Sequence, residues 1–367
     1  MYEKRNLIIF LSQFDLTSVR IQKVVEFLQE NPTIKEFKKT KFPKDILPEE
    51  QATEIKSHAD ELAVENYVKS LLDRGIKITT IADQDFPSKL KMLDDCPAIL
   101  YYMGDLSLTE ESSIAIVGTR KPTSYGRMTT EKFARSLAQA GIVIVSGLAY
   151  GVDSIAHRAC LEAGGKTIAV LGGGFDYIYP AQHLSLAKEI AQKGLLISEF
   201  RPKRQATTYT FPLRNRIIAG LSDGVLISEA GFKSGTIHTK EYALEYGKNL
   251  YAIPGNIDSE NSQLTNDIIK SGQGQCVITP DDIICDYKGQ ISFNFDEKSE
   301  KNISKSAFEG LSNDEKTIVE VLQNGMTSLD ELSQKVKISA KNINTCLTTL
   351  EIRGIIKRLP AGMICLA

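Results

Sequence analysis

Four short segments consist of glycine or combine it with hydroxyl or cationic side chains, and three of them follow an apolar run while the fourth precedes a predicted helix. They are Gly118–Arg120, Ser146–Gly151, Gly172–Gly174 and Ser234–Thr236. Glycine lets backbone N–H groups approach a phosphate, and the N-terminus of a following helix favours an anion. A single segment of this kind is more often a structural turn, but four of them favour a phosphate-binding rim. The candidate residues are Gly118, Thr119, Arg120, Ser146, Gly147, Gly173, Ser234, Gly235 and Thr236, with Lys240 a turn further on.

A second segment places an aromatic side chain close to two arginines and an amide, at Phe211, Arg214, Asn215 and Arg216. Arginine forks match the geometry of phosphate, and an aromatic face accepts a stacked base. The structural alternative is that Phe211 belongs to a core and that the arginines bridge helices. Both interpretations stay open for these four residues.

Other chemistries have little basis in the sequence. The glycine turns do not follow the G-x-G-x-x-G dinucleotide pattern, and no G-x-x-x-x-G-K-[ST] phosphate loop occurs. The six cysteines form no C-x-x-C pair and the four histidines are scattered, so we predict no metal site. We also predict no cofactor and no catalytic residues. Dispersed thiols and the lack of ~20 consecutive apolar residues indicate a cytoplasmic protein without a membrane contact.

The elements that must position these residues alternate between strands and helices. Short, nearly continuous apolar runs are typical of strands in a parallel sheet covered on both faces. They occur at residues 76–81, 114–117, 142–145, 167–171, 195–197, 224–227 and 250–253. The glycine segments mostly follow such runs, so they are expected at the carboxyl ends of strands, where open α/β sheets bind ligands.

The chain of 367 residues is long enough for several domains. We predict a helical domain over 1–75, a Rossmann-like α/β core over 76–287, a polar linker over 288–306, and a winged helix over 307–367. In the last of these, residues 312–315 read Ser-Asn-Asp-Glu, a capping box that opens a helix. Two more helices and a hairpin complete the winged-helix pattern.

Charge is unevenly distributed along the chain, although the net charge is only −2. Residues 113–290 hold 19 Lys and Arg against 16 Asp and Glu, whereas residues 1–112 hold 15 against 20. Residues 307–367 are balanced, with seven of each sign. The mildly basic middle of the chain permits a phosphate-binding face there.

The motifs of residues 76–285 resemble those of the DprA/Smf family of DNA-processing proteins in order and spacing. The matching residues are Ile116–Arg120 with Thr123–Gly126, Ser146–Asp153, Tyr179–Pro180, Ser198–Phe200, Phe211–Ser222, Glu229–Ala230, Ser234–Thr236 and Pro254–Gly255. Several of these motifs are long, and the predicted winged helix is similar to the C-terminal domain of many members.

The resemblance implies an extended Rossmann fold with a sterile-alpha-motif-like N-terminal domain and a homodimer formed through the core. It also implies binding of single-stranded DNA and its delivery to the RecA recombinase in natural transformation. By position, Arg120 would hold a phosphate, Phe211 would lie near a base, and Arg214 and Arg216 would line the same groove. The chain departs from the family at Ala181, where a basic residue often follows the Tyr-Pro pair, and at residues 13–16, which lack a hairpin glycine.

Two other function classes remain as alternatives. One is a nucleotide-cleaving enzyme of the phosphoribohydrolase type, in which Glu229 would act near Arg120, although its Pro-Gly-Gly-x-Gly-Thr turn is missing here. The other is a transcription factor led by the winged helix, which the balanced charge of 307–367 disfavours. Asp153 and His157 lie one helical turn apart, and we interpret them as a capping or ion-paired couple rather than a catalytic dyad.

Overall fold

The computed structural model describes residues 2–29, 32–291, 311–323, 327–328, 332–333, 335–336, 338, 340–353, 355–358 and 363–366. The chain divides into two compact units, Met1–Phe293 and Asn294–Ala367. Most of the predicted linker, 292–306, lies outside the described residues, while 288–291 form the end of a helix. The predicted division at residue 75 stays a prediction. No helix within the described ranges is long and apolar enough to cross a bilayer.

The secondary structure described before position 73 consists of helices, as predicted. The helices are α1 (Tyr2–Ser12), α2 (Ser18–Phe27), α3 (Ile34–Lys39), α4 (Glu49–Ser57) and α5 (Glu61–Leu72). Hydroxyl or carboxylate N-caps start three of them, since Thr17, Thr33 and Asp60 accept backbone N–H groups of the first turn. In α1, five consecutive apolar residues, 7–11, are all buried, because α1 is surrounded by the other helices and by the first strands of the sheet.

The centre of the larger unit is a nine-stranded sheet in the order β1-β2-β6-β5-β4-β3-β7-β8-β9. Its strands are β1 (Lys77–Thr80), β2 (Ile99–Gly104), β3 (Ser113–Val117), β4 (Val143–Ser146), β5 (Thr167–Val170), β6 (Leu195–Ser198), β7 (Gly224–Ile227), β8 (Asn249–Ala252) and β9 (Gln275–Cys276). In this spatial order, the seven strands β6-β5-β4-β3-β7-β8-β9 run parallel to one another. At one edge of the sheet, β1 pairs antiparallel with β2, and β2 pairs antiparallel with β6. The mostly parallel α/β sheet is confirmed. Strands β2 and β9 were not predicted, and two-residue β9 is too short to show a pattern.

Helices cover both faces of this sheet, which explains why every residue of the central strands β3 to β7 is buried and most of them are apolar. The helices are α6 (Ser88–Lys91), α7 (Ser124–Gln139), α8 (Val152–Glu162), α9 (Leu184–Lys193), α10 (Thr210–Leu221), α11 (Thr236–Glu245), α12 (Gln263–Lys270) and α13 (Asp281–Ile291). Alternate residues of a strand point to opposite faces. In β3, Ala115 and Val117 pack in a cluster with α10, while Ile114 and Ile116 pack in another with α7 and α8.

The order of the strands reverses at β3, and this reversal locates the expected ligand crevice. Strands β4, β5 and β6 lie on one side of β3, and β7, β8 and β9 lie on the other. The connections that leave β3 and β7 therefore diverge to opposite sides of the sheet. Such a switch point opens a crevice beyond the carboxyl ends of the two strands.

The smaller unit has the elements of a winged helix, as predicted. The described elements are α14 (Asn313–Gln323), β10 (Thr327–Ser328), α15 (Ala340–Ile352), β11 (Ile356–Arg358) and β12 (Met363–Leu366), and the sheet order is β10-β12-β11. The predicted capping box is present, since Glu315 N donates to Ser312 Oγ at 3.3 Å and Ser312 N donates to Glu315 Oε2 at 2.8 Å. The predicted middle helix, 328–336, lies partly outside the described residues.

Helix α8 buries a histidine completely against the sheet. His157 Nδ1 lies 2.7 Å from Thr167 Oγ1, and the Thr167 hydroxyl donates to Ile144 O at 2.7 Å. Thr167 therefore accepts from His157 Nδ1–H, and the buried Nε2 has no hydrogen-bond partner among the described residues. Asp153 instead accepts the N–H groups of Gly147 and Ala149 in the loop before α8, so each residue of the predicted couple bonds to a different partner. Burial, helped by the positive charge of Arg214, lowers the pKa of His157 to about 3.

This histidine makes the stability of the fold depend on pH. An unfolded histidine binds a proton below pH 6.5, roughly the model-peptide pKa, whereas folded His157 does so only near pH 3. The stabilisation is therefore complete above pH 6.5 and declines as the pH falls, at up to about 1.4 kcal/mol per pH unit. We expect a loss of about 2 kcal/mol from pH 7 to pH 5, measured as the free energy of unfolding in urea.

His157→Asn should flatten this dependence, because the amide can still donate to Thr167 but does not titrate. His58→Asn, which removes an exposed histidine, should keep the wild-type slope. A His157→Asn protein that still loses about 2 kcal/mol would show that another group is responsible.

Candidate nucleic-acid interface

A cleft of about 1140 Å³ lies at the switch point of the sheet. It is lined by the segment after β3, the first half of α10 and the start of α11. Nine of the fourteen predicted site residues line it, namely Gly118, Thr119, Arg120, Phe211, Arg214, Asn215, Ser234, Gly235 and Thr236. Residues from three distant parts of the chain therefore meet in one crevice, where an α/β sheet is expected to bind its ligand.

The segment after β3 is held tightly, and this directs Arg120. A Cβ atom on Gly118 would lie 2.7 Å from both Glu229 O and Val152 Cγ2, so only glycine fits there. Next to it, Thr119 N donates to Glu229 O at 2.6 Å. These contacts fix the backbone immediately before Arg120, whose side chain is exposed and lines the cleft.

Arg120 lies over an aromatic ring in the cleft. Its Cζ is 5.1 Å from the centroid of the Phe211 ring, within the range of a cation–π contact. Tyr179 packs on Phe211 with centroids 5.6 Å apart and ring planes at 55°. Gly172 lies behind, where a Cβ would be 2.7 Å from the Phe211 ring. The cleft thus combines an exposed guanidinium with an aromatic platform that a side chain at residue 172 would displace.

Arg214 lies on the floor of the same cleft but is almost fully buried, with 3% of its surface exposed. Its Nη1 donates to Gly147 O at 2.5 Å and also to Val170 O, and its Nε donates to Asn215 Oδ1 at 3.1 Å. Burial lowers the pKa of Arg214 to about 10, against the opposing effect of Asp153, so the guanidinium remains charged at neutral pH. Arg214 therefore uses its donors to connect the ends of β4 and β5.

The start of α11 contributes neutral polar groups. Ser234 Oγ and Thr236 Oγ1 are 2.8 Å apart, and Thr236 N donates to Ser234 Oγ at 3.2 Å. Asn215 Nδ2 donates to Gly235 O at 3.3 Å, which ties this turn to α10. A Cβ on Gly235 would meet nothing within 4 Å, so the space beside this turn is open. The positive end of the α11 dipole faces that space and favours an anion.

The structure does not bring the other five predicted residues to the cleft. Ser146 is buried and donates to Ile116 O at 2.7 Å, and Gly147 contacts the guanidinium of Arg214. Gly173 packs against Ala206 N, to which a Cβ would come within 2.7 Å, and Lys240 donates to Gln273 Oε1 at 3.1 Å.

Arg216, the fifth of these, points away from the cleft. It is 6% exposed, and its Nη2 donates to Glu199 Oε1 at 2.5 Å while its Nε is 3.7 Å from Asp95 Oδ2. Ser18 Oγ, at the start of α2, donates to the same Glu199 oxygen at 2.5 Å. Burial disfavours the charge on Arg216, but Glu199 and Asp95 outweigh it and raise its pKa. This geometry matches the structural alternative, because Arg216 joins α10 to the end of β6 and to the N-terminal helices.

Several cleft residues were not predicted. Lys121 and Lys233 are exposed cations of its lining, and Tyr179 and Asn261 line it as well. Lys121 directly follows the predicted segment 118–120, and Lys233 directly precedes the predicted segment 234–236. Their positions next to these segments could therefore have identified them as cleft residues. Asn261 had no such signal, since it reaches the cleft only through the fold of the loop after β8.

Glu229, which would be the catalytic acid in the enzyme alternative, already accepts hydrogen bonds from Thr123. Its carboxylate accepts Thr123 N at 2.8 Å and Thr123 Oγ1 at 2.7 Å, which caps α7. It lines a separate cavity rather than the cleft that holds Arg120. Among the residues that the structure describes, no group of three His, Cys, Asp or Glu side chains could hold a metal ion.

Two protein-family models match most of the chain. Residues 77–288 match the family model of DNA recombination-mediator protein A, and residues 304–362 match that of the DprA winged helix domain. The DNA processing protein DprA of Bacillus subtilis is 41% identical over 186 residues, which cover 50% of this chain and 63% of that relative.

Two solved structures are similar as well. The X-ray structure of DNA processing protein A from Streptococcus pneumoniae is 32% identical with a TM-score of 0.65, and the match covers 76% of this chain and 95% of the other. DNA processing protein A from Helicobacter pylori, described for its single-stranded DNA binding mode, is 35% identical with a TM-score of 0.53. That match covers 58% of this chain and 96% of the other.

The buried pair of Arg216 and Glu199 should be essential for stability. Arg216→Met leaves the Glu199 carboxylate, whose side chain is only 11% exposed, without its cation, and such a loss typically costs about 3–5 kcal/mol in a buried pair. The double variant Arg216→Met/Glu199→Met should recover most of this loss, because two apolar side chains replace the pair. Urea unfolding of the three proteins measures both changes.

Arg135→Met provides a matched control, since it removes the arginine of an exposed pair with Glu162. Its cost should stay below about 1 kcal/mol. If Arg216→Met were as mild as this control, the Glu199 network would not be a stabilising link between the helices and the sheet.

Proposed function

Since the chain belongs to the DNA recombination-mediator protein A family, also called DprA/Smf, we propose that its cleft binds single-stranded DNA. The observation that carries this proposal is the exposed guanidinium of Arg120 held 5.1 Å above the Phe211 ring. A guanidinium fork binds phosphate, and an aromatic face stacks on a base. The relative from Helicobacter pylori, described for its mode of single-stranded DNA binding, is consistent with this.

The aromatic platform favours a single strand over a duplex. Phe211 and Tyr179 are in contact and both line the cleft. Bases in a duplex are paired and stacked on their neighbours, so their faces cannot reach a ring at the bottom of a cleft. Stacking on an aromatic ring also tolerates any base, because every base has a π-face. We therefore propose binding with little base preference.

Charge in the cleft favours a phosphate backbone. Arg120, Lys121 and Lys233 are exposed lining residues, and none of them takes part in an ion pair within the described part of the chain. The exposed carboxylate of the lining is Glu260. Three phosphate contacts would give a slope of log K against log salt near −2, at about −0.7 per phosphate for single strands. Binding should therefore weaken measurably as the salt concentration rises.

The wider role that we propose follows from the family. The protein would protect incoming single-stranded DNA in the cytoplasm and help to load RecA recombinase on it during transformation. It would act as a homodimer formed through the Rossmann-like core. It would carry out no covalent chemistry, since the carboxylate of Glu229 already accepts from Thr123 and that of Asp153 from the N–H groups of residues 147 and 149. The charge-balanced winged helix would contact a protein or regulate the core rather than bind duplex DNA.

Arg120→Ala should weaken the binding of single-stranded DNA by about 1–3 kcal/mol, the range for a charged hydrogen-bond partner. Fluorescence anisotropy with labelled oligo-dT and a matched duplex, across a salt series, measures this loss. The variant should also show a shallower salt dependence, by about 0.7.

Arg158→Ala is the matched control, because Arg158 is an exposed arginine of α8 that does not line the cleft. It should bind like the wild type. Unchanged affinity in a folded Arg120→Ala protein, or equal losses in both variants, would refute this location of the site.

Removal of residues 307–367 should leave a folded protein that binds oligo-dT with wild-type affinity. The unit Met1–Phe293 has its own hydrophobic clusters and contains the whole cleft. Anisotropy and thermal unfolding of the shortened chain check both statements. If binding disappeared while the shortened protein stayed folded, the main DNA site would lie in the winged helix.

A further inference from the structure

A second, smaller cavity lies on the other side of Arg120. It has a volume of about 430 Å³, and Arg120 and Lys121 line both it and the main cleft. Arg127, from the first turns of α7, and Tyr150, from the loop before α8, line only the second cavity. The two cavities therefore meet at Arg120, and an extended ligand that leaves the cleft past this side chain enters the second one.

The second cavity has an excess of positive charge. Arg120, Lys121 and Arg127 are all exposed, and the described residues that line the cavity include no carboxylate. None of the three takes part in an ion pair among the described residues. Three neighbouring like charges repel one another, so their arrangement favours a polyanion that lies across all of them.

A row of aromatic rings crosses from one cavity to the other. Phe211 and Tyr179 line the cleft, with centroids 5.6 Å apart, and Tyr150 follows Tyr179 at 6.5 Å. Tyr179 and Tyr150 are 48% and 36% exposed, so a ligand can reach part of each residue. Tyr150 is also anchored, because its hydroxyl donates to Gln182 Oε1 at 2.6 Å and its ring packs on His183.

The spacing of these rings matches unstacked bases. Successive bases in B-form DNA are only about 3.4 Å apart along each strand. Ring centroids separated by 5.6 and 6.5 Å cannot follow that repeat, but they can each contact one base of a strand that is pulled out of stacking. Arg120 lies over the Phe211 ring at one end of the row, and Lys121 and Arg127 line the same cavity as Tyr150, so cations accompany the rings at both ends.

We propose that the cavity between Arg127 and Tyr150 is a second nucleotide subsite, in which Arg127 binds a phosphate and Tyr150 stacks on a base of the same single strand. This inference rests on the proposed function, because it assumes that the main cleft holds single-stranded DNA. It predicts the path of the strand across the surface, which runs along Phe211, Tyr179 and Tyr150. It also assigns Arg120 a central position, with a phosphate contact between the two subsites.

A length series of labelled oligo-dT tests the proposal. Wild-type affinity should rise with length beyond the shortest oligonucleotides that fill the main cleft. Arg127→Ala and Tyr150→Leu should bind those shortest oligonucleotides like the wild type but lose the additional affinity for longer ones, by roughly 10-fold each. For long oligonucleotides, the salt slope of Arg127→Ala should be smaller by about 0.7.

Two matched variants control for charge and for folding. Lys132→Ala removes another exposed cation of α7 that lines neither cavity, and it should bind every length like the wild type. Tyr150→Phe keeps the ring but loses the hydrogen bond to Gln182, and it should retain most of the affinity. A loss in Lys132→Ala equal to that in Arg127→Ala would mean that only general electrostatics is involved, which would overturn the proposal.

Photocrosslinking of the unmodified protein gives a direct readout that does not depend on a variant. With 5-iodouracil placed at successive positions of a long oligo-dT, Tyr150 should crosslink at a position about two nucleotides away from the one that crosslinks to Phe211, because one base contacts each ring. If Tyr150 never crosslinks and its variants bind normally while Arg120→Ala loses affinity, the second subsite is wrong and the main cleft stands. If the wild type binds no oligonucleotide of any length, the proposed function itself fails.

Discussion

A buried guanidinium at the carboxyl end of the sheet is the interaction on which the site depends. Arg214 is 3% exposed, and a charge in such a place is tolerated only when partners replace the water that it has lost. Carbonyl oxygens of Gly147 and Val170 supply two of these partners, and the buried carboxylate of Asp153 supplies the opposite charge. One side chain of α10 thereby ties together the ends of β4 and β5 and the loop that follows β4.

That loop could not keep its shape without such contacts. Leu148 has a φ of 57°, a left-handed conformation that costs energy for a branched side chain. Three neighbours hold it, since Asp153 accepts the flanking N–H groups of residues 147 and 149, Arg214 binds Gly147 O, and His183 Nδ1 donates to Leu148 O at 2.8 Å. The hydrogen bonds of these buried polar groups therefore offset the conformational strain of the loop. The loop in turn places Tyr150 at the surface.

The need of a buried guanidinium for partners also explains why the three arginines have different roles. Arg214 and Arg216 are committed to carbonyl and carboxylate partners inside the protein, so they shape the cleft or the attachment of the helices. Arg120 has no such partner in the part of the chain that the structure describes, so its donors are available to a ligand, while the contacts of Gly118 and Thr119 hold its backbone in place. A site with rigid support and free donors at its surface loses little conformational entropy when it binds.

The elements and much of the rim could be predicted from the amino-acid sequence, because both depend on local patterns. Continuous apolar runs marked seven of the nine strands, and the glycine turns at residues 118–120 and 234–236 lie in the cleft. The direction in which each arginine points could not be predicted in this way. Arg214 and Arg216 are two residues apart on a helix, about 200° around its axis, so they cannot share one groove. Which of them faces the cleft depends on how α10 packs on the sheet, and that is set by contacts between residues distant in sequence, such as Arg214 with Gly147 and Arg216 with Glu199.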